Sequence, residues 1–396
     1  MTETTSLERT DRISKTIGYY AAFIALGLVA ASLGPTLPDL AAHTQTQLGE
    51  ISFLFTARAL GYLLGSFLGG RLYDRVSGHS LMAAALIVMA TMAALTPLLS
   101  LLWLLTAVLL ILGMAEGTVD VGGNTLLVWV HRHQVGPFMN GLHFFFGAGA
   151  FLSPIIIAQT VLVSGDIIWA YWVLALMMSP VAIWLLRLPS PTAQTVSQGD
   201  PVGGRRIDHL LVALIALFFV LYVGAEVGFG GWIFTYAVAL NLSSETTAAY
   251  LTSAFWGALT LGRLLSIPIA VRVRPRFILL GDLVGCLASV GIILLWPNSL
   301  TALWLGAFGL GFSMASIFPT MISLAERRMT ITGRISSWFF VGASAGSMSL
   351  PWLIGQLFES VGPRVMVFTV LVDLIVAVFI FAGVMLRSYR SVMGEE

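Results

Sequence analysis

In the stretch MAEGTVDVGGNTLL (114–127), Glu116, Asp120 and Asn124 recur every four residues, the spacing that lines side chains along one slowly drifting stripe of a helix. An ionisable side chain at the centre of a membrane-spanning helix costs roughly 2.5–3.5 kcal/mol on insertion scales, so such a stripe must face protein or water. Two carboxylates one turn apart repel, and at neutral pH at least one of them holds a proton or shares a cation. This is the chemistry of a cation-coupling site, with Asn124 as a ligand for a cation or a hydroxyl. A third carboxylate, Glu226, sits in LYVGAEVGFGGWIFTY (221–236) among Gly224, Gly228, Gly230 and Gly231. Each glycine weakens a helix by about 1 kcal/mol relative to alanine. The run therefore predicts either a helix that bends or opens beside its acid, where freed carbonyls become ligands, or close packing through small residues with Glu226 bonded to a neighbour. Arg58 and Arg263 are the candidate neighbours. Set against Glu116, Asp120 and Glu226 they leave one acid unmatched, and that surplus is a candidate for H⁺ or Na⁺, with Na⁺ placed near Asp120 or Glu226. His143 is a candidate pocket residue or a packing histidine, and Asp373 reads as structural or protonated. His131 and His133 lack the cluster that a metal shell needs.

These residues must be held by something, and composition says what. Of 396 residues 58% are hydrophobic and 10% charged, against roughly a quarter charged in a soluble domain. The chain reads as an all-α, multi-pass membrane protein. Apolar windows of about 20 residues, the length that crosses roughly 30 Å of hydrocarbon, fit near 17–41, 48–70, 80–98, 101–130, 138–163, 167–187, 209–240, 247–271, 276–296, 300–325, 335–358 and 364–387. The first is a retained span, since no small-residue cleavage signal follows a short apolar core. A Pro-, Gly-, Ser- and Gln-rich run, 189–206, reads as a cytoplasmic linker between six-helix bundles at 1–188 and 207–396. A net charge of +1 names no nucleic-acid partner, and the single Cys286 excludes an intrachain disulfide.

Of the 20 basic residues, all but Arg58, Arg263 and Arg364 fall on one side if the N-terminus is cytoplasmic, which selects that topology with both termini inside the plasma (inner) membrane. The halves also resemble each other: GYLLGSFLGGR (61–71) matches GRLLSIPIAVR (262–272), and FFFGAGAFLSP (144–154) matches FFVGASAGSMSLP (339–351). Two six-helix halves joined by a linker are the plan of a transporter that rocks around a central site.

After the second span, Gly70, Leu72, Asp74, Arg75 and Gly78 in GGRLYDRVSGHS resemble the G-x-L-x-D-R-x-G loop signature of the major facilitator superfamily, with one extra residue before the last glycine. The resemblance implies a conformational latch, in which Asp74 caps the eleventh span near Thr332 to Arg334 or pairs with Arg132. LGPTLPDLA (33–41), VDVGGNTLLVWV (119–130), MNGLHFFFGAGAFLSP (139–154) and LYVGAEVGFGGWI (221–233) look like the sodium-dependent glucose transporter-like and fucose permease-like branch. Asp120 with Asn124 matches that branch's span-four pattern. Its span-one aspartate has no equivalent, because Gly34 stands there and Asp39 comes later, so the coupling scheme does not carry over whole.

The resemblance implies a monomeric symporter of a monosaccharide driven by H⁺ or Na⁺, with no cofactor. A sugar site needs flat aromatic faces and hydrogen-bonding groups, and Trp232, Tyr236, Trp256, Phe312 and Trp338 lie on the C-half spans expected to line the pocket, with Arg58, Arg263, Asn124 and His143 as polar candidates. The alternative is a proton-coupled exporter of an amphipathic compound, and a third reading is a non-transporting sensor. An enzyme lacks its parts: there is no G-x-S-x-G, H-E-x-x-H or phosphate-cradling glycine loop, and no extramembrane domain to host one.

Overall fold

A computed structural model describes residues 2–191, 208–329 and 333–393. Residues 192–206 of the expected linker and Thr332 lie outside the described residues, as does the side chain of Arg334. The elements in order are α1 (Thr2–Ala30), α2 (Leu33–Thr44), α3 (Leu48–Ile51), α4 (Phe53–Tyr73), α5 (Gly78–Leu95), α6 (Leu102–His131), α7 (Val135–Ser164) and α8 (Ile167–Arg187). The second half continues with α9 (His209–Ala239), α10 (Glu245–Arg272), α11 (Pro275–Leu295), α12 (Leu300–Met314), α13 (Ile317–Glu326), α14 (Gly333–Val361) and α15 (Val365–Met393). No strand occurs among the described residues. Among the described residues eleven stretches are long and apolar enough to cross a membrane. A further long helix, α14, spans 29 residues and carries a run of serines, Gln356 and Glu359.

The chain divides into two compact units, one within Met1–Gln47 and Ala57–Val196, the other within Leu48–Thr56 and Ser197–Glu396. The short segment 48–56 therefore groups with the later helices. Within that unit the Gln356 amide donates to Gly49 O at 2.6 Å, Leu48 N donates to Glu359 at 2.8 Å and Thr56 Oγ1 donates to Met348 O at 2.9 Å.

Helix pairs in both units touch backbone to backbone through glycine. A Cβ at Gly27 would strike the Phe146 carbonyl, bringing α1 against α7, and one at Gly346 would strike Val220 O, bringing α14 against α9. The glycines of α9 serve the same end: Gly224 lies against Gly346, Gly230 against Phe255 and Trp256, and Gly231 against Phe55. The expected opening of this helix beside Glu226 does not occur; α9 runs unbroken over 31 residues because its glycines are close-packed on neighbours rather than solvated. Gly346→Ala is expected to destabilise the protein by about 1–3 kcal/mol through overpacking, read as a lower thermal transition in detergent; an unchanged transition would contradict the close approach.

Two other spans do break. Ala31 and Ser32 separate α1 from α2, and Ala315 and Ser316 separate α12 from α13. Pro35 and Pro319 stand four residues after Ala31 and Ala315 and contribute to both, since a proline lacks the N–H that would bond that carbonyl and its ring crowds it; Pro154, Pro180, Pro268 and Pro351 lie inside helices that run on, so proline alone does not set a break. The breaks share a local pattern, SLGPT (32–36) and SIFPT (316–320).

Candidate functional site

In the first unit α4 crosses α6 at backbone distance, because Gly61 and Gly65 face the carbonyls of Leu110 and Met114, while Gly113 and Gly117 face those of Arg58 and Tyr62. That crossing sets two ladders rung to rung. Arg58 meets Glu116, with Nε to Oε2 at 2.8 Å and Nη2 to Oε1 at 2.5 Å, a bidentate pair. Its remaining N–H groups donate to Val29 O at 3.0 Å and Ala30 O at 3.2 Å, carbonyls at the α1–α2 break. One turn on, Tyr62 donates to Asp120 Oδ2 at 2.6 Å, and the Asn124 amide donates to Asp120 Oδ1 at 3.2 Å and to its backbone carbonyl at 2.9 Å. Asp120 has no ion pair among the described residues. Arg58 and Glu116, expected as substrate and cation groups, pair with each other, and Arg58 also caps the carbonyls at the α1–α2 break.

The second unit repeats the plan with different helices. Arg263 on α10 donates from Nε to Ala315 O at 3.4 Å, a carbonyl exposed by the α12–α13 break, and lies within electrostatic reach of Glu226. Tyr222, one turn before Glu226 on α9, donates to Met314 O at 3.1 Å and is also within hydrogen-bonding reach of Glu226. From α11, Asp282 Oδ2 accepts from Ser316 Oγ at 2.5 Å. Sequence reasoning passed over Asp282, Tyr62, Tyr222 and Ser316. Asp282 carried the available signal, being an acid inside the apolar run 276–296, whereas the tyrosines and serine are visible only once helix crossings are known.

The aromatic candidates separate. Trp232 is fully buried, donates from Nε1 to Pro351 O at 2.9 Å and stacks on Phe358, and Tyr236 is likewise buried, so both are packing residues and not the sugar platforms expected. Trp256 is buried too, but its Nε1 finds no hydrogen-bond partner among the described residues, and the same holds for Ser253 Oγ one turn earlier. Phe312 and Trp338 are exposed. His143 is half-buried with its ring edge-on to Phe23. Asp373 joins neither network; its Oδ2 is buried and finds no hydrogen-bond partner among the described residues.

At the loop after α4, the glycine that close packing requires is Gly78, whose Cβ would collide with Leu126; a Cβ at Gly70 would meet only Val121, at 3.8 Å. Asp74 and Arg75 are exposed, and Asp74 makes no ion pair with another described residue; Arg132 is exposed with a left-handed φ of 51°. Tyr73 turns inward to donate to Thr118 O at 3.2 Å. Among the described residues no three His, Cys, Asp or Glu side chains gather into a metal-holding group. A cation here would take oxygens from one carboxylate, a hydroxyl and backbone carbonyls.

Asp120 and Glu226 are thus half-buried acids inside helices, each hydrogen-bonded to or within reach of a tyrosine one turn or one helix away. The chain is 34% identical over 358 residues to sodium-dependent glucose transporter 1 of Xenopus laevis, covering 83% of this chain and 73% of that protein. It is 32% identical over 373 residues to the Homo sapiens protein of the same name, covering 85% and 72%. The crystal structure of the nucleoside transporter NupG superposes with a TM-score of 0.73 over 95% of this chain and 99% of that one, at 14% identity, a likeness of fold alone. Residues 19–351 match the Major Facilitator Superfamily, and the chain belongs to that family of membrane transporters.

Proposed function

We propose that this transporter is a symporter that carries a hexose together with H⁺ or Na⁺ by alternating access, working as a monomer in the plasma (inner) membrane with both termini cytoplasmic. The observation that carries the reading is Asp120. Arg58 satisfies Glu116 completely, and Asp120 is left with two hydrogen-bond donors and no counter-charge. A bound cation supplies that charge, and its binding favours whichever state closes around the loaded site. Asn124 orients the carboxylate and has its own carbonyl oxygen to offer a cation.

The sugar part of the reading is supported by the relatives' names and by Trp256 and Ser253. A buried donor left without a partner is destabilising by about 1–3 kcal/mol, and a polyhydroxyl substrate would satisfy both groups. The test is counterflow in proteoliposomes with a panel of labelled hexoses, run with and without Na⁺ and with and without a pH gradient. At least one hexose is expected to exchange, and one of the two gradients to drive its accumulation. Exchange of no hexose in a preparation that binds cations sinks the sugar assignment.

A further inference from the structure

We propose that Asp282 and Ser316 form a second cation-binding site, in the C-terminal half, whose occupancy acts on Glu226 through the break between α12 and α13. The inference rests on the cation-coupled reading above. Asp282 is half-buried inside a membrane-spanning helix, and its one hydrogen-bond partner among the described residues is the Ser316 hydroxyl. No basic side chain pairs with it among the described residues. Of the elements packed against α11, α12 brings no titratable group, α13 brings Glu326 at its far end, and α15 brings Asp373 and Arg387, the side chains of Tyr389 and Arg390 lying outside the described residues. On α11 itself stand Arg276, whose guanidinium lies over the Phe277 ring, and Cys286, buried one turn beyond Asp282.

The competing account is that the N-terminus of α13, where Ser316 is the capping residue, compensates the charge. A helix end offsets only part of the cost of an anion inside a membrane-spanning helix, and Asp282 is half-buried with no ion pair among the described residues; a proton or Na⁺ supplies the missing charge. The two carboxylate oxygens and the serine hydroxyl are hard oxygen donors that suit either cation.

The link to Glu226 runs through three consecutive residues. Met314 O accepts from Tyr222, Ala315 O accepts from Arg263, and Ser316 Oγ donates to Asp282. Tyr222 has one proton to give. A protonated Glu226 donates to the phenol oxygen and leaves the bond to Met314 intact; an ionised Glu226 competes with Met314 for it. A cation at Asp282 that takes Ser316 Oγ as a ligand turns the hydroxyl proton away from the carboxylate, and so acts on the same three residues. Both acids then act on one short element, and an element that both sites bias is the physical requirement for coupling between them. Linkage makes the coupling reciprocal, so occupancy near Glu226 changes cation affinity at Asp282.

The experiment uses the purified full-length chain in nanodiscs and needs neither transport nor sugar. Equilibrium binding of radioactive sodium reports Na⁺, and the infrared carboxyl C=O band that grows on acidification reports H⁺. Asp120→Asn and Asp282→Asn are each expected to remove one cation-dependent acid from the wild-type count, with Glu226 remaining in both variants. Ser316→Ala keeps the acid and is expected to change its cation affinity about tenfold, weaker for Na⁺, which loses a hydroxyl ligand, and tighter for H⁺, because the ionised carboxylate loses its hydrogen bond. A monodisperse Asp282→Asn protein with an undiminished count overturns the proposal. Should that variant not fold, unchanged affinity in Ser316→Ala overturns it instead. A single wild-type cation removed by Asp120→Asn leaves the coupling role of Asp120 standing and this second site refuted. Failure of hexose counterflow alongside Asp282-dependent binding removes the sugar and keeps the site.

Discussion

Replacing Asp120 by asparagine is expected to abolish concentrative uptake while leaving counterflow exchange partly intact. The side chains are nearly the same shape, so the α4–α6 crossing and the Arg58–Glu116 pair one turn away stay in place. What changes is charge and hydrogen-bond polarity. The carboxylate accepts from Tyr62 at 2.6 Å and from Asn124 at 3.2 Å; the substituted amide presents one acceptor and a donor to the same two donors, a mismatch of about 1–3 kcal/mol. The larger effect is on coupling. Without a charge to neutralise, the cation has no differential affinity for the two states of the carrier and no means of biasing them. Uptake then proceeds only to equilibrium across the vesicle membrane, while exchange of labelled for unlabelled substrate requires no cation gradient. Steady-state accumulation and counterflow, measured on the same proteoliposomes, separate the two. Accumulation at the wild-type level would refute the role of Asp120.

Arg58→Ala is expected to be the most destabilising single substitution in the first unit, by about 3–5 kcal/mol. It orphans Glu116, which is 3% exposed, and also strips the donors from Val29 O and Ala30 O at the α1–α2 break. Arg58→Lys does not rescue it, since an ammonium cannot reach a bidentate carboxylate and two carbonyls in the planar fork that a guanidinium supplies. Removing both charges together, as Arg58→Met with Glu116→Leu, is expected to recover much of the loss, because the strongest penalty comes from the uncompensated acid and not from the missing pair. The measurement is the midpoint of thermal unfolding in detergent for the two single variants and the double. An Arg58→Ala protein as stable as wild type would show that the pair contributes nothing to the fold.

The spans were legible because apolar length is a property of composition, and the Arg58–Glu116 and Asp120–Asn124 relations were half legible for a related reason. A spacing of four states which side chains share a face of one helix. It does not state that Arg58 and Tyr62 on α4 meet Glu116 and Asp120 in that register, which depends on glycines bringing two backbones together. The count of three acids against two arginines leaves one acid over; the crossing pairs Glu116 with Arg58 and gives Asp120 to Tyr62 and Asn124, while Asp282 stood outside that count. The glycines around Glu226 left two readings open, a softened helix or close packing through small residues, and in α9 it is the contact that dominates. The discontinuities fall just ahead of Pro35 and Pro319, inside windows that apolar length presents as single spans, and proline alone does not mark them, since Pro154 and Pro268 lie in unbroken helices. Trp232 illustrates the limit for aromatics: its burial under Phe358 and Phe55 is decided by distant parts of the chain.

The polar residues within α14 bear on how the protein reaches the membrane at all. A nascent helix partitions from the translocon according to its summed transfer free energy, and serines, a glutamine and a glutamate weigh against α14 entering lipid alone. Its closest companion, α9, is made earlier and offers the carbonyl-lined surfaces of Ala216 and Val220 to Gly342 and Gly346. α14 is therefore expected to lean on α9 for its place in the bilayer, and a lesion in α9 is expected to show first as a loss of assembled protein, before any question of transport arises.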